Sequence, residues 1–352
     1  MNPESDIKSR LVLIDAMNFF YKKFKNQNGG TVCAEDEFHA VNPYVIHFVE
    51  KFASLRRRLN AMAVRKDVFV MCFDNGYDRR LEISEKAKEE GLIKKAYKEE
   101  RRCHNRQESL EEKIAFRNMM SGFQFIREML DDTIVRQAAF KGEEGDDIIG
   151  TLVKKYKDSF DEVVIVSADK DCYQLLSENV FIYKLHSPGK YYTIADFQQE
   201  FDLMTGEQWV DVGALVGESG KARDTIPGVP AIGMKKACLL IRKYESLDLL
   251  VRRSKRMLER KVARFGGDWE KMLVAVKKRR FRLKRGKMEL RIIANERLAR
   301  LSYELKKMHT ELPIAIKTDE RFCDIKAITS RLESRGIEMS LDFLEKVRSL
   351  IE

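Results

Sequence analysis

The sequence predicts an α/β protein with a mostly parallel central sheet flanked by helices. Three observations lead there. Short continuous apolar runs recur, each run or its immediate continuation is acidic, and helical patterns lie between them. Runs that are apolar throughout read as strands buried on both faces, and strand–helix alternation covers both faces of a parallel sheet. The chain has 352 residues, enough for one large domain or two smaller ones, and 44% hydrophobic residues can form a substantial core.

Taken in order, the first strand is LVLID, Leu11 to Asp15, and the second is DVFVMCFD, ending at Asp74. A weaker third covers Thr133 to Phe140. The fourth is apolar from Val163 to Val166 and continues to Asp169 and Asp171. Helical patterns cover Pro43–Leu59, Leu110–Leu130 and Asp146–Tyr156. Residues 82–118 are almost all charge and read as solvent-exposed helix or a mobile insertion. Residues 208–250 form a compact helical unit, in which the turn-rich IPGVPAIG precedes the periodic MKKACLLIRKY. Residues 251–310 hold 21 Lys+Arg against 6 Asp+Glu, a surplus larger than the +10 of the whole chain. Positive charge is thus gathered in one helical region, as a phosphate backbone would require. The expected divisions are residues 1–205, 206–250 and 251–352, the last a basic helical region packed on the core.

Composition excludes several classes. No run approaches the roughly eighteen apolar residues of a membrane span. The N-terminus MNPESDIKSR lacks the apolar stretch of a secretory signal, so a cytoplasmic location is expected. A basic protein of the membrane surface would need an amphipathic segment with Trp or Phe on its apolar side, and none is apparent. Six cysteines lie far apart without a CxxC pair, and five histidines are scattered. Reduced thiols are expected, and any metal would be held by carboxylates.

The acids carry the main chemical signal. Asp15 ends the first strand, Asp74 ends the second, and Asp169 and Asp171 follow the fourth. Glu144, Asp146 and Asp147 precede the helix IIGTLVKKY. Ligand sites in open parallel sheets form beyond the carboxyl ends of the strands, so these acids should converge. Any one of them could be a helix cap or turn former. The full set would repel itself unless cations neutralise it, and hard oxygens suit Mg²⁺ or Mn²⁺. Two such ions roughly 4 Å apart can activate a water and stabilise a leaving oxygen.

These segments are where the chain resembles the 5′–3′ exonuclease/flap endonuclease superfamily, in particular its stand-alone bacteriophage and bacterial members. The resemblance runs from about residue 10 to residue 250. LVLIDAMNFFYKKF resembles the first acidic motif, with Asp15, and VFVMCFDNGYDRR resembles the second, with Asp74. AYKEERR is similar to a Tyr-Lys-x-x-Arg stretch, which implies that Lys98 and Arg101 steer phosphate. GEEGDDIIG resembles Glu-Ala-Asp-Asp with Gly145 in place of alanine. It implies Glu144 and Asp146 as ligands with Asp147 beside them at the catalytic centre. SADKDCYQLL matches Asp-x-Asp, with Asp169 and Asp171. The last motif departs from Gly-Asp-x-x-Asp-Asn-Ile-Pro-Gly. In GESGKARDTIPG, Glu218 stands for the first aspartate and Asp224 for the second, with three extra residues between them.

The resemblance implies a PIN-like 5′-nuclease fold with a helical arch at about residues 82–118 and a helix–hairpin–helix at 206–250. It implies two Mg²⁺ ions, replaceable by Mn²⁺, and K⁺ at the hairpin. Gly228 and Gly233 would bring backbone close to DNA, joined by Lys235 and Lys236, while Ala231 stands where glycine is usual. Tyr97 is a stacking candidate, and packing inside an amphipathic helix fits it equally. The implied partners are DNA with 5′ flaps or junctions, RNA–DNA primers and replication proteins, with the chain acting as a monomer and carrying no polymerase domain. A silent junction-binding protein and a PIN-like ribonuclease remain the alternatives.

Overall fold

One sheet organises the chain. Its strands are β1 (Ser9–Asp15), β2 (Lys66–Cys72), β3 (Arg136–Ala138), β4 (Glu162–Val166), β5 (Val180–Tyr183) and β6 (Tyr191–Tyr192), in the order β3-β2-β1-β4-β5-β6. All neighbours are parallel except the β5–β6 pair. This computed structural model describes residues 8–21, 39–62, 65–99, 109–184, 190–218, 224–278, 280–316 and 323–351.

Among the described residues the helices are α1 (Ala16–Tyr21), α2 (Asn42–Met62), α3 (Asp78–Glu89), α4 (Leu110–Leu130), α5 (Gly145–Tyr156), α6 (Ile194–Phe201), α7 (Gln208–Val216), α8 (Met234–Tyr244), α9 (Leu247–Val262), α10 (Trp269–Lys277), α11 (Lys287–Ala294), α12 (Glu296–Lys306), α13 (Ile325–Ser334) and α14 (Leu341–Arg348). The pleat sends alternate residues of each strand to opposite faces. Leu11, Leu13, Val163 and Ile165 join the α5 residues Ile148 and Leu152 and the α7–α8 residues Val212, Leu215 and Leu240 in one core. Val12, Ile14, Val164 and Val166 join Phe48 and Phe52 of α2 and Ile126 of α4 in the other. Ile328, Leu332, Phe343 and Val347 of α13 and α14 close that second core, so the end of the chain is built onto the sheet.

From β1 the chain builds outward through β2 and β3, then returns to the other side of β1 with β4 and β5. The strand order therefore reverses between β1 and β4, and a crevice opens there beyond their carboxyl ends. Asp15 and the Ser167–Asp171 segment lie at that point.

Part of the charged segment 82–118 is anchored, in contrast to the exposed reading. Ala87 and Tyr97 form a buried cluster with Ile226, Leu301 and Leu305, with Ile83, Leu92 and Ile93 packed against it. Of the remainder, residues 100–108 lie outside the described residues and residues 110–118 begin α4. The basic region has its own small core of Leu258, Met272, Leu273, Leu283 and Leu290. None of the described helices is long and apolar enough to cross a membrane.

The helix–hairpin–helix is α7, a hairpin and α8. Gly217 caps α7, Glu218 bridges to Ile226, and Gly233 caps α8. A Cβ at Gly228 would lie 2.5 Å from the Val216 carbonyl oxygen, and the Gly228 amide donates to Ser302 Oγ at 2.9 Å. Gly228 is thus needed for packing between α7 and α12. Ala231 holds φ +63°, the left-handed conformation that glycine adopts without strain.

Candidate metal centre

Seven carboxylates line one cavity of about 270 Å³: Asp15, Asp74, Glu144, Asp146, Asp169, Asp171 and Asp224. Asn18, Arg80, Tyr97 and Lys98 share its wall. Two neutral residues unnoticed in the sequence tie the strand ends together. Ser167 Oγ donates to Asp15 Oδ2 at 2.9 Å and accepts from the Asp169 amide at 3.0 Å. The Asn18 amide donates to Asp15 Oδ1 at 2.9 Å, while its side-chain oxygen accepts from the Ala168 amide at 3.1 Å. Asp169 caps the short 3₁₀ turn Lys170–Leu175 by accepting from the Asp171 amide at 2.9 Å.

Gly145 opens α5 and donates its amide to Asp74 Oδ1 at 2.6 Å. A Cβ there would stand 2.8 Å from the same oxygen, so the glycine departure lets Asp74 close on the helix N-terminus.

Arg80, also missed in the sequence, organises the acids at the start of α5. Its Nη1 donates to Glu144 Oε2 at 2.8 Å and to Asp147, its Nη2 meets Asp147 Oδ1 at 3.0 Å, and its Nε donates to the Leu305 carbonyl at 3.0 Å. Glu144, Asp146 and Asp147 have carboxylate oxygens within 4.8 Å of one another. Asp147, however, is fully buried, spends its oxygens on Arg80 and the His309 amide, and does not line the cavity. The sequence placed Asp147 at the catalytic centre; the structure makes it an anchor for Arg80.

The remaining acids fit a hard divalent cation. Asp146 Oδ1 is buried without a hydrogen-bond partner. Among the described residues Asp15 receives the neutral donors Asn18 and Ser167. Such oxygens are costly to leave charged, and a cation would satisfy them. Burial first, then Asp74 and Asp169, push Asp15 up to about 7, against the Asn18 amide and Ser167. Burial also holds Asp146 well above the usual carboxylate range, against Arg80. Burial alone would raise Glu144, but Arg80 and then Lys98 outweigh it and lower its pKa.

A carboxyl whose pKa is higher in the folded protein binds more protons folded than unfolded between the two values, so stability falls as pH rises through that window. For Asp15 the window runs from 3.8 to about 7. In EDTA the melting temperature should therefore decline from pH 4.5 to 7. Saturating Mg²⁺ should flatten the decline. A rise across that range in EDTA would contradict the placement of these acids.

The far side of the site differs. Asp171 lines the cavity, but both its oxygens accept from Lys306 Nζ, at 3.0 and 2.9 Å. Glu218 stands outside the cavity lining and pairs with the same ammonium. Asp224 reaches the cavity and accepts from the Tyr97 hydroxyl at 3.3 Å.

Lys98 lies at the cavity wall, pairs with Glu144, and sits 5.1 Å from the Tyr77 ring centroid. Tyr97 is 3% exposed and donates to Glu144 at 3.0 Å, so it braces the acids and cannot stack on a base. Arg101 lies outside the described residues. Gly233, Lys235 and Lys236 are exposed at the start of α8, with nothing within 4 Å of where a Gly233 Cβ would stand. That helix N-terminus can meet a phosphate.

Two family models match the chain: "5'-3' exonuclease, N-terminal resolvase-like domain" over residues 10–202 and "5'-3' exonuclease, C-terminal SAM fold" over residues 204–330. The thermostable DNA polymerase I of Thermus thermophilus is 32% identical over 250 residues, 71% of this chain and 26% of the polymerase. The 5′–3′ exonuclease of Mycoplasmopsis pulmonis is 36% identical over 126 residues, 36% of this chain and 41% of that protein. The chain thus spans about a quarter of the polymerases it matches. The bacteriophage T5 D15 protein co-crystallized with metal ions superposes with a TM-score of 0.59 at 17% identity, covering 97% of this chain and 100% of that one. The catalytic core of Rad2 in complex with DNA substrate gives 0.54 at 13%, covering 99% and 94%. At these identities the solved structures establish the fold.

Proposed function

The chain belongs to the 5′–3′ exonuclease family, and on that premise we propose that it is a structure-selective 5′ nuclease, hydrolysing phosphodiesters of DNA flaps and of RNA–DNA primers during replication. The observation that carries this reading is the meeting of seven carboxylates and Lys98 in one cavity, beside a helix–hairpin–helix. Relatives named exonucleases and a structural neighbour with bound DNA support it.

Asp15, Asp74, Asp146 and Asp169 would hold Mg²⁺ or Mn²⁺ on one side of the cavity, with Asp171 and Asp224 facing the other. The ions supply a Lewis acid that lowers the pKa of water and stabilises charge on the leaving oxygen. The chain's own part is orientation. Ser167 and Asn18 fix Asp15, Gly145 fixes Asp74, and Arg80 with Tyr97 fixes Glu144. Lys98, paired with Glu144 at the cavity wall, would leave it for the scissile phosphate. The exposed Lys235 and Lys236 and the basic helices α9–α12 would hold the duplex backbone without reading sequence. A K⁺ ion at the hairpin would have to displace Lys236 and Arg291 from the Ala231 carbonyl, which they contact at 3.3 and 3.5 Å.

Lys98→Ala should lower the cleavage rate by ~10²–10³-fold, the usual cost of one electrostatic donor at a reacting centre, with KM changed far less. Single-turnover kinetics on a 5′-flap substrate check this; an unchanged rate with weakened binding would make Lys98 a binding residue only. The function itself is tested by comparing a 5′-flap DNA, a blunt DNA duplex and single-stranded RNA of the same sequence. Cutting at the flap junction with 5′-phosphate products is expected. Preference for the RNA would favour the ribonuclease reading.

A further inference from the structure

Lys306 ends α12 and is 7% exposed, a rare position for a lysine unless it is paired. Its ammonium reaches both oxygens of Asp171, at 3.0 and 2.9 Å, and also pairs with Glu218. Three donors thus meet three carboxylate oxygens, which exhausts what an ammonium can give. The surroundings are built for this arrangement. The lysine stem crosses Gly213 of α7, where a Cβ would stand 3.3 Å from its Cγ and 3.4 Å from its Cδ. Gln174, on the same 3₁₀ turn as Asp171, donates to the Lys306 carbonyl at 3.2 Å and accepts from the Met308 amide at 3.0 Å. The end of α12 is therefore docked on the segment that presents Asp171.

We propose that Lys306 is a resident cation for the Asp171–Glu218 half of the acidic site. In the DNA-free protein its single positive charge occupies the carboxylate oxygens that a second divalent ion would need, so the protein takes up one ion, on the Asp15–Asp146–Asp169 side. A second ion enters that half when the ammonium is displaced. This rests on the metal-dependent reading of the site, and the test separates the two.

Isothermal titration of the full chain with Mn²⁺, without DNA, should give one ion for the wild type and two for Lys306→Met. In EDTA, Lys306→Met should melt lower than wild type, since Asp171 and Glu218 lose their counter-charge, and Mg²⁺ should raise its melting temperature more than it raises the wild type's. Two ions bound by the wild type, or one bound by Lys306→Met, would overturn the proposal while leaving the metal reading intact. A wild type that binds none would defeat the metal reading itself. Asp171→Asn guards against a Lys306→Met chain that fails to fold. It leaves the ammonium with Glu218 and should still bind one ion, whereas a fall to none would show that Asp171 holds the ion that the wild type binds.

Discussion

Replacing Asp169 with Ala should reduce flap cleavage by at least ~10³-fold, about 4 kcal/mol of lost transition-state stabilisation. Asp169 sits beyond β4 with Asp15, Asp74 and Asp146 around the same cavity, and its charge helps to raise the pKa of both Asp15 and Asp146. Because these acids repel one another, removing one should not weaken the fold through charge. The loss to consider is the cap on the Asp171 amide, about 1 kcal/mol. Asp169→Asn keeps a capping oxygen and should lose the same activity, which separates metal binding from capping. DNA affinity in EDTA should hold or rise, since one negative charge leaves the path of the phosphates. A matching loss of affinity and rate, by gel shift and single-turnover assay, would place Asp169 in DNA binding instead.

Arg80→Ala should cost about 3–5 kcal/mol of stability, the range for a buried ionic group stripped of its partner. Arg80 is 2% exposed and joins Glu144 and Asp147 to the Leu305 carbonyl at the end of α12. Without it Asp147, fully buried, would keep the His309 amide and the more distant Arg79 guanidinium at 3.6 Å but lose its closest counter-charge. Arg80→Lys should recover little, because an ammonium cannot match a planar guanidinium that hydrogen-bonds two carboxylates and a carbonyl and also pairs with Asp146. Urea unfolding in EDTA measures both. A cost below about 1 kcal/mol for Arg80→Ala would mean that Asp147 finds another partner, against the view that Arg80 organises this end of the site.

The strand ends were legible in the sequence because apolar runs flow into acids there, and parallel topology brings such ends together. Asp15, Asp74, Glu144, Asp146, Asp169 and Asp171 reach the cavity for that reason, whereas Asp224 reaches it from the segment between α7 and α8. The helix Leu110–Leu130 was legible in full. The strands β5 and β6 were not, since VFIY and YY are too short for a pattern of their own and depend on pairing with the sheet. For Tyr97 the sequence left stacking and packing open, and it is buried beneath Glu144; Gly228 was read as approaching DNA, and it is pressed against Val216. Arg80 and Lys306 lie among other charged residues, and only long-range packing singles them out. Lys306 meets Asp171 across 135 positions of sequence. Glu218 was read as a metal ligand because it stands where an aspartate is expected; the helical pattern around Lys306 was legible, but its packing against Glu218 was not.

The central claim is that this acidic cavity cuts DNA through divalent ions held by its carboxylates. The most direct measurement incubates a 5′-end-labelled DNA flap with the purified chain in Mg²⁺ or in EDTA. The expected result is release of the flap at the junction in Mg²⁺ and none in EDTA. Tight binding of the flap with no cleavage in Mg²⁺ or in Mn²⁺ would contradict the claim and make the chain a junction-binding protein.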